Sequence, residues 1–473
     1  MKNTKGEAKL LNHYFTPDDV RLFDYNQIFS VSSMWVELGM ENIIATYDLL
    51  VRGISEHRNF LLFGGLEEIL ENIKNWKYTK EEVDFLLKNE SITPKMAKLM
   101  RNFKFSGDIY AMKEGTAFFS NEPVVRLDGP IWQINLFTFF LINALTSNTI
   151  FLSKIVRSVL ATQGKFESIS CSVTRAHSNE SSLKFGRAAY LLGSPSALVP
   201  TFARKFNLPV SKVSTKAYHA FIKSFPTEID AMRAATSIFS KLDFMIDTYD
   251  VKQGVQSAIT VANELKKEGK GHTIGCVVID SGKDVYDFIR QARYVRKELD
   301  KAGLEKIGIT LAGNFEEHKM HKLAEHNAPI KNVLACTELV TSADYPKLEA
   351  VLKLAEMRDG SKITYNAKLA PGKESYPARK QVFRKYKNGK MVKDTIGHEK
   401  EKLGAPLLRK VMSKGKLTYK LPNLDTIKHH VDQQINLLPS RLKDVNKKHR
   451  YPATISPKLE RMMDAFRKRH SKM

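Results

Sequence analysis

The chain has 473 residues, of which 42% are hydrophobic and 27% are charged. This composition supplies a sizeable apolar core and excludes the disordered and fibrous classes of protein. The formal net charge is +24, and the three widely spaced cysteines include no C-x-x-C pair, so the sequence predicts neither a disulfide framework nor a zinc site.

The N-terminal segment carries charge without an apolar run behind it, which argues against a secretory signal, and we expect a cytoplasmic protein. Residues 1–144 mix helical periodicity over 30–39 and 66–76 with strand-like runs at 109–112 and 124–127. These patterns predict a mixed α+β N-terminal domain.

The most apolar stretch, residues 131–145, is interrupted by Gln133, Asn135, Thr138 and Asn143. It falls short of the ~20 apolar residues that a membrane-spanning helix needs. The stretch therefore predicts a buried helix, and we expect no association with a membrane.

Between residues 145 and 360, short β-branched runs alternate with stretches of helical periodicity. The predicted strands are 168–173, 244–247, 274–280, 306–312 and 332–336, and the predicted helices are 150–162, 182–192, 253–267 and 285–299. The later strands recur at roughly 30 residues, a spacing typical of parallel strands joined by crossover helices. The pattern predicts an α/β sheet or barrel as the second domain.

Residues 361–473 form the third predicted region, and part of it is expected to pack on the N-terminal domain. A strand-like run starting at 381 leads into Asn388-Gly389, a strong hairpin signal. Residues 366–473 hold 28 lysines and arginines against 9 aspartates and glutamates, a net charge of +19. The basic residues are scattered and few aromatics lie among them for base stacking, so nucleic acid is not an expected partner. Anionic small ligands or a lysine-rich composition are the alternatives.

Polar residues follow several of the predicted strands directly. Asp247 and Asp250 come after the strand at 244–247, Asp280 and Ser281 after the next one, and Gly313 after the third. Ligands of parallel α/β sheets and barrels bind at the carboxyl ends of the strands. A helix N-cap is an equally good reading of any single aspartate, but recurrence at successive strand ends favours a site.

His219 lies near a predicted strand-to-helix junction, although a lone histidine is more often structural than catalytic. The motifs of P-loop hydrolases, Rossmann cofactor sites, zinc proteases and serine hydrolases are all missing from the sequence. Spacing alone therefore names no reaction.

Many short segments together resemble the nicotinate phosphoribosyltransferase family, in order, from about residue 15 to residue 396. They include Asp-Thr-Tyr-Asp at 247–250 and Asp-Ser-Gly at 280–282. The other matching segments lie at 51–52, 63–67, 105–110, 114–116, 121–123, 175–176, 187–190, 219–221, 224–225, 254–255, 339–344 and 380–384.

The resemblance implies an irregular α/β barrel of the type II phosphoribosyltransferase kind, beside a mixed N-terminal domain that C-terminal segments complete. It implies a homodimer with active sites near the subunit interface. The implied reaction converts nicotinate and phosphoribosyl pyrophosphate to nicotinate mononucleotide and pyrophosphate, with ATP hydrolysis and Mg²⁺, in NAD salvage.

The resemblance also implies roles for particular residues. His219 matches a histidine that ATP phosphorylates transiently, and a covalent intermediate of this kind can couple hydrolysis to synthesis. Arg175 matches a family arginine suited to clamping a carboxylate or a phosphate. The substrate-binding residues implied in this way are Tyr25, Arg175, Asp247, Asp250, Asp280, Ser281, Gly313 and Thr337.

Several family positions are changed in this chain. Asn26 stands where the family has a tyrosine that contacts nicotinate, which leaves Tyr25 as its substitute, and Lys216 and Val278 replace a threonine and an arginine. The phosphate-cradling Gly-Val-Gly-Thr reads Leu-Ala-Cys-Thr at 334–337. Two alternatives to the nicotinate enzyme therefore stay open, an enzyme with an altered substrate and a catalytically silent binding or assembly protein.

Overall fold

A computed structural model of the chain describes residues 19–171, 173–194, 199–208, 210 and 215–470. Short 3₁₀ turns lie at Asp19–Arg21 and Ser440–Lys443. The α-helices are α1 (Asn26–Glu37), α2 (Leu66–Asn75), α3 (Lys80–Lys88), α4 (Pro94–Arg101), α5 (Ile131–Asn135), α6 (Thr138–Ala161), α7 (Asn179–Leu191), α8 (Pro200–Phe206), α9 (His219–Ile222), α10 (Glu228–Ile238), α11 (Val251–Lys267), α12 (Val285–Lys301), α13 (Glu317–Glu325), α14 (Thr337–Val340), α15 (Leu424–Leu437) and α16 (Pro457–His470).

The strands form three larger sheets and one short two-stranded ribbon. They are β1 (Ile44–Val51), β2 (Leu61–Leu62), β3 (Asp108–Ala111), β4 (Ala117–Phe118), β5 (Pro123–Pro130), β6 (Ser168–Cys171), β7 (Thr215–Ala217), β8 (Leu242–Met245), β9 (Ile274–Ile279), β10 (Gly308–Gly313), β11 (Asn332–Ala335), β12 (Ala350–Asp359), β13 (Lys362–Tyr365), β14 (Lys380–Lys387), β15 (Lys390–His398), β16 (Ala405–Pro406), β17 (Arg409–Ser413), β18 (Lys416–Leu417) and β19 (Ala453–Ile455).

The predicted βα repeat folds into a six-stranded sheet in the order β6-β11-β10-β9-β8-β7, and each neighbouring pair is parallel. The crossover helices bury one apolar stripe each, as the periodicity predicted. In α11 the stripe includes Val255, Ala258, Ala262 and Leu265, because residues three and four apart share a helix face. All six carboxyl ends consequently lie along one edge of the sheet.

A seven-stranded antiparallel sheet forms the second layer, in the order β13-β12-β1-β5-β3-β17-β18. Its central strands come from the N-terminal part of the chain, while β12, β13, β17 and β18 come from beyond residue 349. The expected α+β unit completed by C-terminal segments is therefore confirmed. The Asn-Gly turn joins β14 to β15 in a four-stranded sheet, also as predicted.

Two elements depart from the expected domain ranges: α6 runs across the boundary at 144/145, and β12 lies within the range 145–360 but belongs to the seven-stranded sheet. Helix α6 begins at Thr138 and continues to Ala161. The apolar run at 131–145 therefore covers the short α5 and the start of α6, and the predicted helix at 150–162 is the rest of α6. Strand β12 pairs with β1 of the seven-stranded sheet. The division into three domains stays a proposal.

Helix α6 is long and apolar enough to cross a membrane by length and composition, yet 72% of its most apolar window is buried inside the fold. Its polar residues do not interrupt it because they find partners: Asn148 donates to the carbonyl of Ala144 at 2.9 Å, and Thr149 accepts from the backbone of Gly64 at 3.2 Å. These contacts are typical of a core helix.

Candidate active site

The candidate site lies at the carboxyl edge of the six-stranded sheet. At the end of each strand there is a residue that the sequence singled out: Arg175 after β6, His219 after β7, Asp247 after β8, Asp280 after β9 and Thr337 after β11. Gly313 is the last residue of β10. Parallel pairing brings these segments together although up to about 160 residues separate them in the chain.

His219 is the first residue of the four-residue helix α9. Its Nδ1 lies 2.9 Å from the hydroxyl oxygen of Thr248, and its Nε2 lies 3.9 Å from Oδ2 of Asp280. The side chain is 31% exposed. The ring is therefore oriented by a hydroxyl on one side, faces a carboxylate on the other, and remains accessible.

Asp247 is hydrogen-bonded to the backbone of Asp280. Oδ2 of Asp247 accepts the backbone N–H of Asp280 at 2.7 Å, and the Asp247 side chain is only 9% exposed with Oδ1 lacking a hydrogen-bond partner. Burial and the charge of Asp247 raise the pKa of Asp280, while His219 and Arg175 act in the opposite direction. Two carboxylates and two basic side chains thus share one electrostatic environment.

Asp250, unlike Asp247, caps a helix. Its carboxylate accepts from the backbone N–H groups of Lys252 and Gln253 at 2.9 and 3.0 Å and caps helix α11. The N-cap reading of this aspartate is the one that the contacts support. Its expected role in substrate binding stays a prediction.

Gly254, in the first turn of α11, lets the helix approach the end of β8 closely. A Cβ atom at this position would lie 2.0 Å from the carbonyl oxygen of Ile246. We expect Gly254→Ala to displace the helix from the strand end and to cost about 2–3 kcal/mol of unfolding free energy. Urea unfolding would measure this loss. Gly271→Ala is the control, because a Cβ there meets its nearest neighbour at 3.6 Å, and equal unfolding midpoints for the two variants would contradict the expectation.

Arg175 and Thr337 meet across the neighbouring ends of β6 and β11. An Nη atom of Arg175 donates to the Thr337 hydroxyl at 3.0 Å. Cys336, which stands at a family glycine position, directs its thiol to the carbonyl of Gly313 at 3.2 Å. Its side chain is thus engaged with the adjacent strand end.

Gly313 and Ser281 occupy neighbouring turns. Gly313 has φ +143°, and a Cβ there would meet nothing closer than 3.6 Å, so the backbone conformation rather than space favours glycine at this position. Ser281 is exposed, and its carbonyl accepts from the side-chain amide of Gln291 at 3.0 Å. Both residues lie at the expected edge of the sheet.

Tyr25 is not joined to this edge by any described contact within the chain. It precedes α1, is 73% exposed, and its backbone N–H donates to the side chain of Asp24 at 2.8 Å. Lys216 belongs to β7, but its side chain lies outside the described residues, as does that of Cys171.

Glu228 is a residue that the sequence did not single out. It begins α10, is 8% exposed, and its Oε1 has no hydrogen-bond partner. Burial and the charges of Asp247 and Asp250 raise its pKa to about 7. In the sequence it reads as an ordinary acid in the first turn of a helix capped by Thr227, where the helix dipole favours negative charge.

Because its pKa is raised in the fold, Glu228 binds its proton more tightly there than in the unfolded chain. Its contribution to stability is therefore full below pH 4.5 and declines as the pH rises towards 7. We expect Glu228→Gln to unfold at a higher temperature than the parent at pH 8 and at the same temperature at pH 5. Thermal unfolding at the two pH values tests this, with the exposed Glu305→Gln as control. A gain that did not depend on pH would contradict the assignment.

The sequence also did not reveal a cluster of basic side chains, of which only Arg52 lies in a matching segment. Burial and the charges of Arg52, Lys368 and Lys373 lower the pKa of Lys353 on β12. Arg52 follows β1 and its buried Nε has no hydrogen-bond partner. Four basic residues gathered in this way suit an anion with several charges. No short sequence window contains them, because Arg52 is about 300 residues from the others.

Magnesium is the metal that the resemblance implies. The described residues contain no group of three acidic, histidine or cysteine side chains placed to hold a metal ion. Mg²⁺ is commonly bound through one or two carboxylates together with substrate phosphates and water. The carboxylate of Asp280, 40% exposed at the strand-end edge, is accessible for that role.

Comparisons with known proteins agree with this architecture. Models of the nicotinate phosphoribosyltransferase N-terminal and C-terminal domains match residues 25–146 and 404–463. The nicotinate phosphoribosyltransferase pncB2 of Mycobacterium tuberculosis is 29% identical over 92% of this chain and 91% of the relative. The nicotinate phosphoribosyltransferase of Bacillus subtilis is 26% identical over 94% of this chain and 95% of its own.

Solved structures show the same fold. The human nicotinic acid phosphoribosyltransferase superposes with a TM-score of 0.81 at 18% identity, covering 93% of this chain and 99% of the human chain. The nicotinate-nucleotide pyrophosphorylase of Pyrococcus furiosus gives 0.70 at 17% identity, over 90% and 98% of the two chains. The domain matches at both ends of the chain and the relatives that span nearly its whole length identify the chain as a member of the nicotinate phosphoribosyltransferase family.

Proposed function

We propose that the chain forms nicotinate mononucleotide and pyrophosphate from nicotinate and phosphoribosyl pyrophosphate, coupled to ATP hydrolysis, in NAD salvage. The observation that carries this proposal is the meeting of His219, Asp280 and Arg175 at one strand-end edge, in a chain whose relatives bear this enzyme name.

In the ATP-coupling step, the imidazole of His219 acts as the nucleophile. A ring nitrogen attacks the γ-phosphorus of ATP, an N–P bond forms, and the bridging O–P bond breaks to release ADP; water later cleaves the N–P bond and releases phosphate. Thr248 holds the ring in place. Asp280, 3.9 Å from Nε2, stabilises the positive charge that the ring gains as the bond forms.

In the ribosyl transfer, the nitrogen of nicotinate attacks the anomeric carbon as the bond to pyrophosphate breaks. Positive charge develops on the ribose, and the carboxylates of Asp247 and Asp280 are placed to stabilise it. Arg175 presents a planar set of N–H donors suited to the carboxylate of nicotinate or to a phosphate. Bound Mg²⁺ would neutralise part of the charge on the pyrophosphate.

The pyrophosphate and triphosphate groups need more positive charge than Arg175 supplies. The cluster of Arg52, Lys353, Lys368 and Lys373 is the best candidate for this additional charge. We infer that a second copy of the chain presents its cluster, together with its Tyr25, to the strand-end edge of the first. Further exposed apolar side chains support a homodimer: Phe23 lies near Tyr25 in the chain, Met34 lies in α1 and Leu38 follows its last residue. The cytoplasm is the proposed compartment.

The deciding experiment incubates the purified chain with nicotinate, phosphoribosyl pyrophosphate, ATP and Mg²⁺ and follows nicotinate mononucleotide by liquid chromatography. We expect product, and a higher yield with ATP than without it. Product from nicotinamide but not from nicotinate would favour the enzyme with an altered substrate. No product from either base would favour the catalytically silent protein, although the names of the relatives do not support that alternative.

A further inference from the structure

The tip of the β14–β15 hairpin concentrates positive charge on one face. In the register of this hairpin Lys385 lies opposite Lys393 and Lys387 lies opposite Lys390, with an irregularity that leaves Val392 unpaired. Directly opposed residues share a face of the ribbon, and so do residues two apart along a strand. All four lysines therefore lie on the same face, which we call the four-lysine face.

The four-lysine face is exposed, and no acidic side chain neutralises it. All four side chains are exposed, and among the described residues none of them forms an ion pair with an aspartate or a glutamate. Nζ of Lys390 donates to the carbonyl of Asn436 in the last turn of α15 at 2.5 Å. A further positive charge acts on this face as well, since burial and the charge of Lys390 lower the pKa of Lys443. The neighbouring strands β16 and β19 pair only with residues nearer the base of the hairpin, at Phe383–Arg384 and Asp394–Ile396.

Like charges placed directly opposite each other in a hairpin are destabilising. Here two such pairs follow one another, beside a turn that already forces Asn388 and Gly389 to positive φ of 50° and 67°. The contact of Lys390 with Asn436 offsets part of the cost of one pair, whereas the described contacts include no compensating partner for Lys385 and Lys393. Arrangements that reduce stability in this way are expected at functional positions. An anion bound across the face would remove the repulsion.

We propose that the four-lysine face binds the sugar-phosphate backbone of RNA without reading its sequence. Lys385 and Lys387 lie about 7 Å apart along β14, and each faces its partner lysine about 5 Å across the ribbon. This spacing suits successive phosphates of an extended strand. Exposed ammonium groups bind a small anion weakly, whereas a polyanion gains affinity from every counterion that it releases. Tyr386 pairs with Met391 on the opposite face, so base stacking is not part of the interaction.

The four-lysine face does not present the large apolar side chains that binding to a membrane would use. Met391 is buried in the core and Tyr386 points to the other face. Val392, 37% exposed beside Lys393, is a single short apolar side chain, which is too little to anchor the hairpin among lipids. This inference does not depend on the proposed enzyme activity, because the hairpin lies outside the strand-end edge.

The test is fluorescence anisotropy of a labelled single-stranded oligouridylate titrated with the full chain at 50 and 200 mM salt. With four phosphates contacted, affinity should fall about 50-fold between the two conditions. The variant with Lys385, Lys387, Lys390 and Lys393 all changed to Gln should lose binding at 50 mM salt, while the same four positions changed to Arg should keep it. The matched control, called the helix control, changes four exposed lysines to Gln: Lys77 just before α3, Lys80 and Lys88 in α3, and Lys98 in α4.

The quadruple glutamine variant should also unfold at a higher temperature than the parent, since two repulsive pairs are gone, and this readout shows that it folds. Equal RNA binding by the hairpin variant and the helix control would overturn the proposal. Binding that does not change with salt would do the same, as would tighter hairpin-dependent binding to phosphatidylserine vesicles than to RNA.

Discussion

His219→Asn is expected to abolish the transfer of radiolabel from γ-labelled ATP to the protein. The imidazole is the only nucleophile that the described contacts hold at the strand-end edge with a hydroxyl behind it and a carboxylate in front of it. Asparagine keeps the approximate size and can accept the contact from Thr248, but it cannot form the N–P bond. The ratio of product formed with and without ATP should therefore fall to about 1.

Acid-quenched protein after incubation with labelled ATP, and initial rates of nicotinate mononucleotide formation, are the two measurements. The control is His272→Asn, an exposed histidine in the turn before β9, at the opposite end of the strands. Synthesis without ATP should survive in His219→Asn, which separates lost coupling from lost folding. Labelling of the asparagine variant at the parent level would show that another group accepts the phosphoryl group.

Glu317→Gln is expected to lower the unfolding free energy by about 3–5 kcal/mol, since it leaves buried cations without their partner. Glu317 begins α13 and is 1% exposed. Its carboxylate accepts from Nζ of Lys154 at 2.6 Å and from Nε of Arg157 at 2.8 Å. Asp344 completes the cluster through ion pairs with Lys154 and Arg58. The cluster joins α6 to α13, to the turn after α14 and to the segment before β2.

The same cluster predicts sensitivity to acid. Burial alone would raise the pKa of Glu317, but Lys154 and Arg157 lower it to about 2. A carboxylate with a lowered pKa stabilises the fold fully above its unfolded value of 4.5, and this stability is lost as the pH falls from 4.5 towards 2. The contribution lost is about 3 kcal/mol. The parent should therefore unfold more readily below pH 4.5, and Glu317→Gln should show a smaller change over that range.

Urea unfolding at pH 7 and at pH 4 measures both effects of Glu317→Gln. Glu325→Gln, at the exposed end of the same helix, is the control and should stay within about 0.5 kcal/mol of the parent. If the two variants unfolded at the same urea concentration, the cluster would contribute nothing to stability.

The contacts divide the matching family segments into two kinds. Glu114 accepts from the backbone of Gly65 at 3.0 Å and from Arg187 at 2.5 Å, so three of the matching segments hold one another in place. Asp344 likewise serves the buried ion cluster. In contrast, the segments at 175, 219, 247–248 and 280 meet at the strand-end edge, together with Thr337, the residue kept from the altered phosphate motif. A resemblance by itself could not separate these two kinds, because both are stretches of similar residues.

The sequence by itself determined the order and type of most elements and the family. Hydrophobic periodicity and β-branched runs are local properties, so the βα repeat, the amphipathic helices α11 and α12 and the Asn-Gly hairpin could be predicted from short windows. The strand-end candidates followed from the general rule that ligands bind at the carboxyl ends of parallel strands.

Only the tertiary structure decided which side chains face one another. The orientation of His219 by Thr248, the cap formed by Asp250, the buried Glu228 beside Asp247, and the four lysines on one hairpin face all depend on strand register and on distances between remote segments. Burial and charge act through space, so the pKa of Glu228 and the ion cluster at Glu317 are set by neighbours that no window of the sequence contains.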